Sequence, residues 1–149
     1  MGKIRLLKDK KDEQSQSDNV FVAMPFSDDM LPIYSQSIEP AILGCGYISV
    51  RIDQKETNNK ICDVIIAEIR KYRFVVADFT HQHGGVYFEA GFAMGQGKPV
   101  IWLVREDEVG KFHFDTRQYA HIVYKDNADL LTKLTSRIRA TIGEGPVSR

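Results

Sequence analysis

Glu89 is the residue of this sequence whose surroundings most favour chemistry. It is the only charged residue between Val86 and Gly97. On a helix its same-face neighbours are apolar or glycine, so the carboxylate has no polar face to occupy. Desolvating a carboxylate among apolar residues costs free energy unless a ligand, a positive charge or a hydrogen-bond donor compensates. We therefore expect Glu89 to line a cleft; the alternative is a first-turn acid that complements the helix dipole.

Two glycines and two further acids accompany Glu89. Gly84 and Gly85 let a chain leaving a strand turn sharply and present backbone N–H groups, which can bind an anion, at a helix start. Asp78 and Asp53 each follow an apolar run, so both acids would converge at one sheet edge. Carboxylates in unequal surroundings suit glycosidic cleavage, in which one attacks or stabilises an oxocarbenium-like carbon and another group protonates the leaving part. For Asp78 the alternative is a cap on the following turn.

Histidines and aromatic residues flank these acids. His81 and His83 are either catalytic groups or solvent-facing loop residues. Phe26, Tyr87 and Phe88 are able to stack on a nucleobase, although aromatic residues beside a sheet commonly belong to the core. The segment therefore offers groups for binding a nucleoside as well as for cleaving it.

The composition is that of a globular protein without an overall electric field. A length of 149 residues favours one domain, and 43% hydrophobic content suffices for a core. Twenty basic residues balance twenty acidic ones, so we expect neither a nucleic-acid polymer nor a membrane as partner. Without a long apolar stretch or an apolar signal core, the chain is expected to be cytoplasmic. Cys45 and Cys62 fit reduced thiols, and no ligand set predicts a metal or a cofactor.

Five apolar runs alternate with segments of helical period. Near-continuous apolar runs are typical of strands covered on both faces. The alternation predicts an α/β fold with a single five-stranded parallel sheet and helices on both faces. For five strands we expect the flavodoxin-like order 2-1-3-4-5. The predicted strands are 19–24, 47–52, 74–77, 100–104 and 120–124.

The segments between the strands predict helices and loops. Val86 to Gly97 is the helix that carries Glu89, and Asp126 or Asn127 caps a final amphipathic helix. Pro40 must kink the helix after the first strand or begin a second piece. Residues 105–118 have no clear period and are interpreted as a surface loop.

The chain is expected to have three parts. Residues 1–18 are mostly charged or polar and predict a mobile arm. Residues 19–142 form the domain, and 143–149 a tail. Within the domain the ligand crevice should open where the strand order reverses, between the carboxyl ends of strands one and three. Those ends carry Met24 to Asp29 and Asp78 to Gly85.

Several separated motifs resemble a known superfamily. The stretches Val75–Thr80, Gly85–Ala93 and Gly97–Val100 resemble the nucleoside 2-deoxyribosyltransferase-like superfamily. Three further stretches resemble the bacterial branch of that superfamily, the TIR-like nucleotide-binding domains. They are Val20–Phe26, Phe114–Arg117 and Ile122–Tyr124. The resemblance covers about residues 19 to 126, with the motifs in the right order.

The resemblance implies roles for particular residues. Glu89 would be the nucleophile that attacks C1′ of a nucleoside or nucleotide, and residues 23–27 and 83–85 would hold the sugar and any 5′-phosphate. It also implies a homodimer or larger homo-oligomer in which a neighbouring subunit helps to close the pocket. With the residues argued above, the expected substrate-binding set is Met24, Pro25, Phe26, Ser27, Asp53, His83, Gly84, Gly85 and Tyr87.

Ile65 stands where the resembling enzymes carry an aspartate, and His83 where they carry a small or acidic residue. The proton for the leaving base is then expected from Asp78, or second from His83, unless the base departs already positive, as nicotinamide does. The leading hypothesis is an enzyme that cleaves the N-glycosidic bond of a nucleoside, a nucleotide or NAD through Glu89. The alternative is a non-catalytic sensor in which the same crevice binds a nucleotide signal.

Overall fold

A five-stranded parallel sheet runs through the computed structural model, which describes residues 17–52, 61–110 and 120–147. The strand order β2-β1-β3-β4-β5 and the parallel pairing of every neighbour confirm the predicted sheet. The strands are β1 (Asn19–Ala23), β2 (Ile48–Val50), β3 (Phe74–Asp78), β4 (Val100–Arg105) and β5 (Ile122–Tyr124).

The described residues include four helical elements, of which three connect strands and the fourth follows β5. The first, α1, joins Leu31–Ile33, a π-helical stretch Tyr34–Ile38 and Glu39–Gly44. The others are α2 (Ile61–Lys71), α3 (Gly84–Gly95) and α4 (Asn127–Thr141), with short 3-10 turns at Thr80–Gln82 and Glu106–Glu108.

Each face of the sheet is covered by one pair of helices. Alternate residues of each strand point to opposite faces, so β1 sends Val20 and Val22 to one side and Phe21 and Ala23 to the other. The first side packs against α1 and α4, and the second against α2 and α3. The cores on the two faces therefore share the same strands, which explains why the runs are apolar throughout.

Pro40 begins a second helical piece within α1, one of the two predicted outcomes. It lies in the first turn of Glu39–Gly44, where a missing N–H is tolerated. The preceding π-helical turn, Tyr34–Ile38, widens the helix at the point where the proline ring would otherwise meet a carbonyl of the turn before it.

The ends of the other helices follow from their caps. Asp126 caps α4 by accepting a 2.8 Å hydrogen bond from the Asp129 N–H, as predicted. The helix predicted over 86–97 begins two residues earlier, at Gly84, because the side chain of His83 caps it. Within the described ranges no helix has the length and apolar character needed to cross a membrane.

Residues 143 to 147 pack against the turn between α1 and β2. Gly145 N–H donates to the Cys45 carbonyl at 2.7 Å, and Val147 N–H to the Gly46 carbonyl at 3.0 Å. A Cβ at Gly145 would lie 2.2 Å from the Gly46 oxygen, so only glycine allows this approach. The division into arm, domain and tail stays a prediction; most of the predicted arm, and residues 111–118 of the predicted loop, lie outside the described residues.

Candidate active site

A cavity of about 560 Å³ opens at the carboxyl edge of the sheet, beside the ends of β1 and β3. This is the point where the strand order reverses, at which open α/β sheets bind ligands. Its lining residues are Phe21, Val22, Met24, Pro25, Phe26, Ser27, Ile52, His81, His83, Val86 and Glu89.

Glu89 lines this cavity from the second turn of α3. It is only 5% exposed, and its helix neighbours Val86, Ala90 and Ala93 are buried apolar residues. A side chain that served only the helix dipole would normally face bulk water, so this burial favours the cleft interpretation.

His83 lines the cavity at the start of the same helix. Its Nδ1 accepts a 3.2 Å hydrogen bond from the Gly85 N–H, which caps α3. Gly84 and Gly85 form the first turn of the helix and are not among the cavity-lining residues.

The turn before His83 has an unusual backbone. His81 and Gln82 have φ angles of 68° and 52°, in the left-handed region that non-glycine residues rarely adopt. A left-handed backbone at a non-glycine residue destabilises the folded state by roughly 1–2 kcal/mol. Gln82 is held from two sides: its Nε2 donates to the Phe79 carbonyl at 3.1 Å, and the Tyr87 hydroxyl donates to its Oε1. Tyr87 therefore holds this turn and is not among the residues lining the cavity.

A charged cluster ties His81 to two neighbouring loops. His81 Nε2 lies 2.6 Å from Asp29 Oδ2, and its Nδ1 lies 3.4 Å from Glu108 Oε1. Arg105 Nη1 donates to the same Asp29 oxygen at 3.1 Å. Hydrogen bonds from Ser27, His81 and Arg105 hold the pKa of Asp29 well below its usual range. The loops that follow β1, β3 and β4 are thus joined on one side of the cavity.

Asp78 lies in the core beneath this turn and is not among the cavity-lining residues. Its Oδ2 accepts a 2.6 Å hydrogen bond from the Tyr124 hydroxyl, and its Oδ1 a 2.9 Å bond from the Thr80 N–H. Burial raises the pKa of Asp78, and the bonds from Thr80 and Tyr124 oppose that rise. Burial and the neighbouring Asp78 carboxylate raise the pKa of Tyr124. Thr80 Oγ1 also accepts from the Arg105 N–H at 3.0 Å, which completes a buried polar network.

Phe26 forms part of the cavity wall and is backed by a cation. The Arg51 guanidinium carbon lies 4.6 Å from the centroid of the Phe26 ring and 4.3 Å from that of Tyr34. Tyr34 is itself fixed, since its hydroxyl lies 2.8 Å from Ser49 Oγ. The Arg51 guanidinium thus contacts both rings, and cation–π attraction holds the ring of Phe26 in place.

The remaining predicted positions fall in three places. Met24, Pro25 and Ser27 line the cavity with Phe26, while Phe88 projects from α3 and is 53% exposed. Asp53 lies outside the described residues. Ile65 is buried in the core shared by α2 and α3 and does not line the cavity, so no acid enters it from that position.

The roles of Asp29, Arg105 and Glu108 are not predicted by the sequence. These residues come from loops far apart in the chain, so no local spacing connects them. Ile52 could have been inferred, because it immediately precedes Asp53 at the carboxyl end of its strand.

The fold of this chain is similar to that of a solved protein structure. No protein-family model matches this chain, and no curated protein sequence does. Among solved structures the chain is similar to the CMP N-glycosidase BcmB of Clostridium botulinum, with a TM-score of 0.60 and 17% sequence identity. The similarity covers 80% of this chain and 98% of that chain. It agrees with the superfamily resemblance at the level of fold, and the TIR-like branch stays a prediction.

Proposed function

We propose that this protein cleaves the N-glycosidic bond of a nucleotide or nucleoside with Glu89 as the nucleophile. The observation that carries the proposal is a nearly buried carboxylate lining a cavity at the point where the strand order reverses. Ionisable groups that are nearly buried and border a cleft are commonly functional groups. The fold similarity to a CMP N-glycosidase supports a small nucleotide as the substrate.

The reaction has two steps in this proposal. A Glu89 oxygen attacks C1′ while the bond between C1′ and the base nitrogen breaks, and its electron pair leaves with the base. The sugar is then held as an ester of Glu89. Water, or another base, attacks C1′, loses a proton and releases the Glu89 carboxylate, so the configuration at C1′ is retained.

The cavity walls suit the other parts of such a substrate. A volume of about 560 Å³ lies in the range of small-molecule sites. Phe26, fixed by Arg51, offers a ring face for stacking a base. Asp78, with both oxygens bonded in the core, is better suited to hold the turn than to protonate a base. NAD stays among the candidate substrates because nicotinamide leaves a cationic centre and needs no proton donor.

The alternative function is a non-catalytic nucleotide sensor. The observation that favours it is Ile65, a core residue at the position where the resembling enzymes carry an acid. A sensor would bind nucleotides in the same cavity without releasing base. In either case we propose a homo-oligomer, because α3 is apolar nearly all round and leaves Phe88 and Met94 exposed.

Base release from a substrate panel separates the two functions. The panel contains cytidine, CMP, dCMP, AMP, adenosine and NAD, with free base followed by chromatography. We expect release by the wild-type protein and none by Glu89→Gln, with nucleotide binding by calorimetry retained. Glu106→Gln is the matched control, since it makes the same change at an exposed glutamate. Tight binding without release from any panel member would support the sensor.

A further inference from the structure

We propose that a groove beside Arg51 binds the carboxylate of a small organic acid that also has an apolar part. The groove has a volume of about 590 Å³ and is lined by Arg51, by the loop that follows β1 and by the first residues of α1. It shares no lining residue with the cavity that contains Glu89. The inference goes beyond the proposed function and does not depend on it.

Arg51 gives this groove a positive charge that no carboxylate of the described residues pairs with. Its Nη1 is enclosed by protein and has no hydrogen-bond partner in the described part of the chain. None of the ion pairs found there includes Arg51. Glu39, on α1, instead accepts a 3.1 Å hydrogen bond from the Tyr34 hydroxyl. A partly buried guanidinium without a counter-ion has lost hydration that nothing replaces, so a bound anion would stabilise it.

Two aromatic rings restrain the guanidinium before any ligand binds. Its central carbon lies 4.6 Å from the centroid of Phe26 and 4.3 Å from that of Tyr34. These contacts explain why a cation stands beside Phe26, but they do not explain why it lacks a carboxylate. The N–H groups of a guanidinium form a planar fork that matches the two oxygens of a carboxylate. Because the fork of Arg51 is already held, less side-chain entropy is lost when an anion binds.

The other walls of the groove select the kind of anion. Leu31, Pro32 and the ring of Tyr34 give it apolar surface, and Leu31 is 39% exposed. Asp28 is an exposed carboxylate on the same groove. Coulomb repulsion grows with the charge of the ligand, so Asp28 disfavours a phosphate dianion more than a carboxylate. An organic acid whose apolar part covers Leu31 and Pro32 satisfies both the cation and the apolar wall.

The π-helical stretch of α1, Tyr34–Ile38, forms one side of the groove. Its first three residues, Tyr34, Ser35 and Gln36, are lining residues. Short π-helical turns within α-helices frequently occur at functional sites. Gln36 is fixed in place, because Asn127 Nδ2 donates to its Oε1 at 2.9 Å. The groove therefore has a cation and a polar wall that are already positioned for a ligand.

Titration with benzoate and benzamide tests the site. The two probes have the same ring and nearly the same shape, but only benzoate is charged. In amide NMR spectra of the whole chain we expect benzoate to shift the signals of Ser35, Gln36 and Arg51, and benzamide to bind at least about tenfold more weakly. Acetate, which lacks the ring, and inorganic phosphate should also bind more weakly than benzoate. Equal binding of benzamide, tighter binding of phosphate, or shifts confined to Val86 and Ala90 beside the other cavity would overturn the assignment.

Arg51→Met and Asp28→Asn should change the affinity for benzoate in opposite directions. Methionine removes the charge, so binding should weaken by roughly 10–100-fold. Asparagine removes a repulsive charge at an exposed position that does not threaten the fold, so binding should tighten by about two- to fivefold. Arg70→Met, at an exposed arginine of α2, is the matched control and should bind as wild type.

Wild-type affinity in Arg51→Met, or no gain in Asp28→Asn, would contradict the site. These titrations require no turnover, and Glu89→Gln should bind benzoate as the wild-type protein does. A protein that releases no base from the substrate panel would therefore remove the proposed function and leave this assignment to be decided by the titrations alone.

Discussion

Tyr124 donates a 2.6 Å hydrogen bond to Asp78 across the sheet, although the strand β4 lies between their own two strands. Asp78 ends β3 and Tyr124 ends β5, so the hydrogen bond links the edge strand β5 to the central strand β3. The bond lies beneath the turn Thr80–Gln82, which borders the cavity. The second oxygen of Asp78 fixes Thr80. We therefore expect Asp78 to act on the site through the turn that it holds.

Asp78→Asn and Asp78→Ala should separate a positioning role from an acid role. Asparagine keeps the acceptor for Thr80 N–H, and the Tyr124 hydroxyl can turn to donate toward Thr80 Oγ1, 3.4 Å away. We expect Asp78→Asn to retain base release within about tenfold. Alanine leaves the buried Thr80 N–H without its acceptor, at about 1–3 kcal/mol, measurable by urea unfolding. A folded but inactive Asp78→Asn variant would restore the acid role.

Asp29→Asn should weaken the acid sensitivity of the fold. The folded-state pKa of Asp29 is lowered, so its contribution is present above the unfolded value, near 3.9, and is lost as pH falls through the folded value. Asp29 is exposed, so the loss at pH 7 should be about 1 kcal/mol or less. Urea unfolding at pH 7 and pH 3 measures it. A difference between wild type and variant that grows toward pH 3 would contradict the prediction.

Glu89→Gln should abolish turnover while sparing the fold. The amide keeps the volume but cannot attack C1′, so kcat should fall on the order of 10⁴-fold or more. Binding of CMP by calorimetry should persist. If Glu89 served only the helix dipole, the same change would cost about 0.3–1 kcal/mol of stability and leave activity nearly intact. Glu106→Gln should behave as wild type in both assays.

Phe88→Asp should dissociate the proposed homo-oligomer. Phe88 is 53% exposed on α3, whose faces are apolar or glycine apart from the buried Glu89. A carboxylate in a packed interface between copies would be desolvated, so the mass by light scattering should fall to that of one chain. Leu43→Asp, at a 47% exposed leucine on the opposite side of the sheet, is the control. A wild-type protein of monomeric mass at micromolar concentration would refute the assembly.

The sheet could be predicted because its signal is repeated along the whole chain. The central strands β1, β3 and β4 are buried on both faces, so each is a nearly continuous apolar run, and the strand order follows from connection rules. The crevice follows from the same topology, which places Met24 and His83 at one edge before any side chain is considered. Glu89 could be singled out from the sequence because a single charged residue within an otherwise apolar helical segment is unusual.

The side-chain partnerships could not be predicted in the same way. Asp29 and Arg105 are far apart in sequence, and nothing in either segment indicates the other. The left-handed backbone of His81 and Gln82 lacks the glycine that usually marks it. The helix α3 begins at Gly84 rather than at the predicted Val86, because histidine is not among the usual capping residues.

The close packing of Gly145 on Gly46 determines where the chain emerges from the molecule. The contact lies beside the amino end of β2, whereas the cavity opens at the carboxyl edge of the sheet. A fluorophore or affinity handle attached at Val147 would therefore stand on the far side of the molecule from the cavity. Titrations and surface immobilisation through that position should leave the cavity mouth unobstructed.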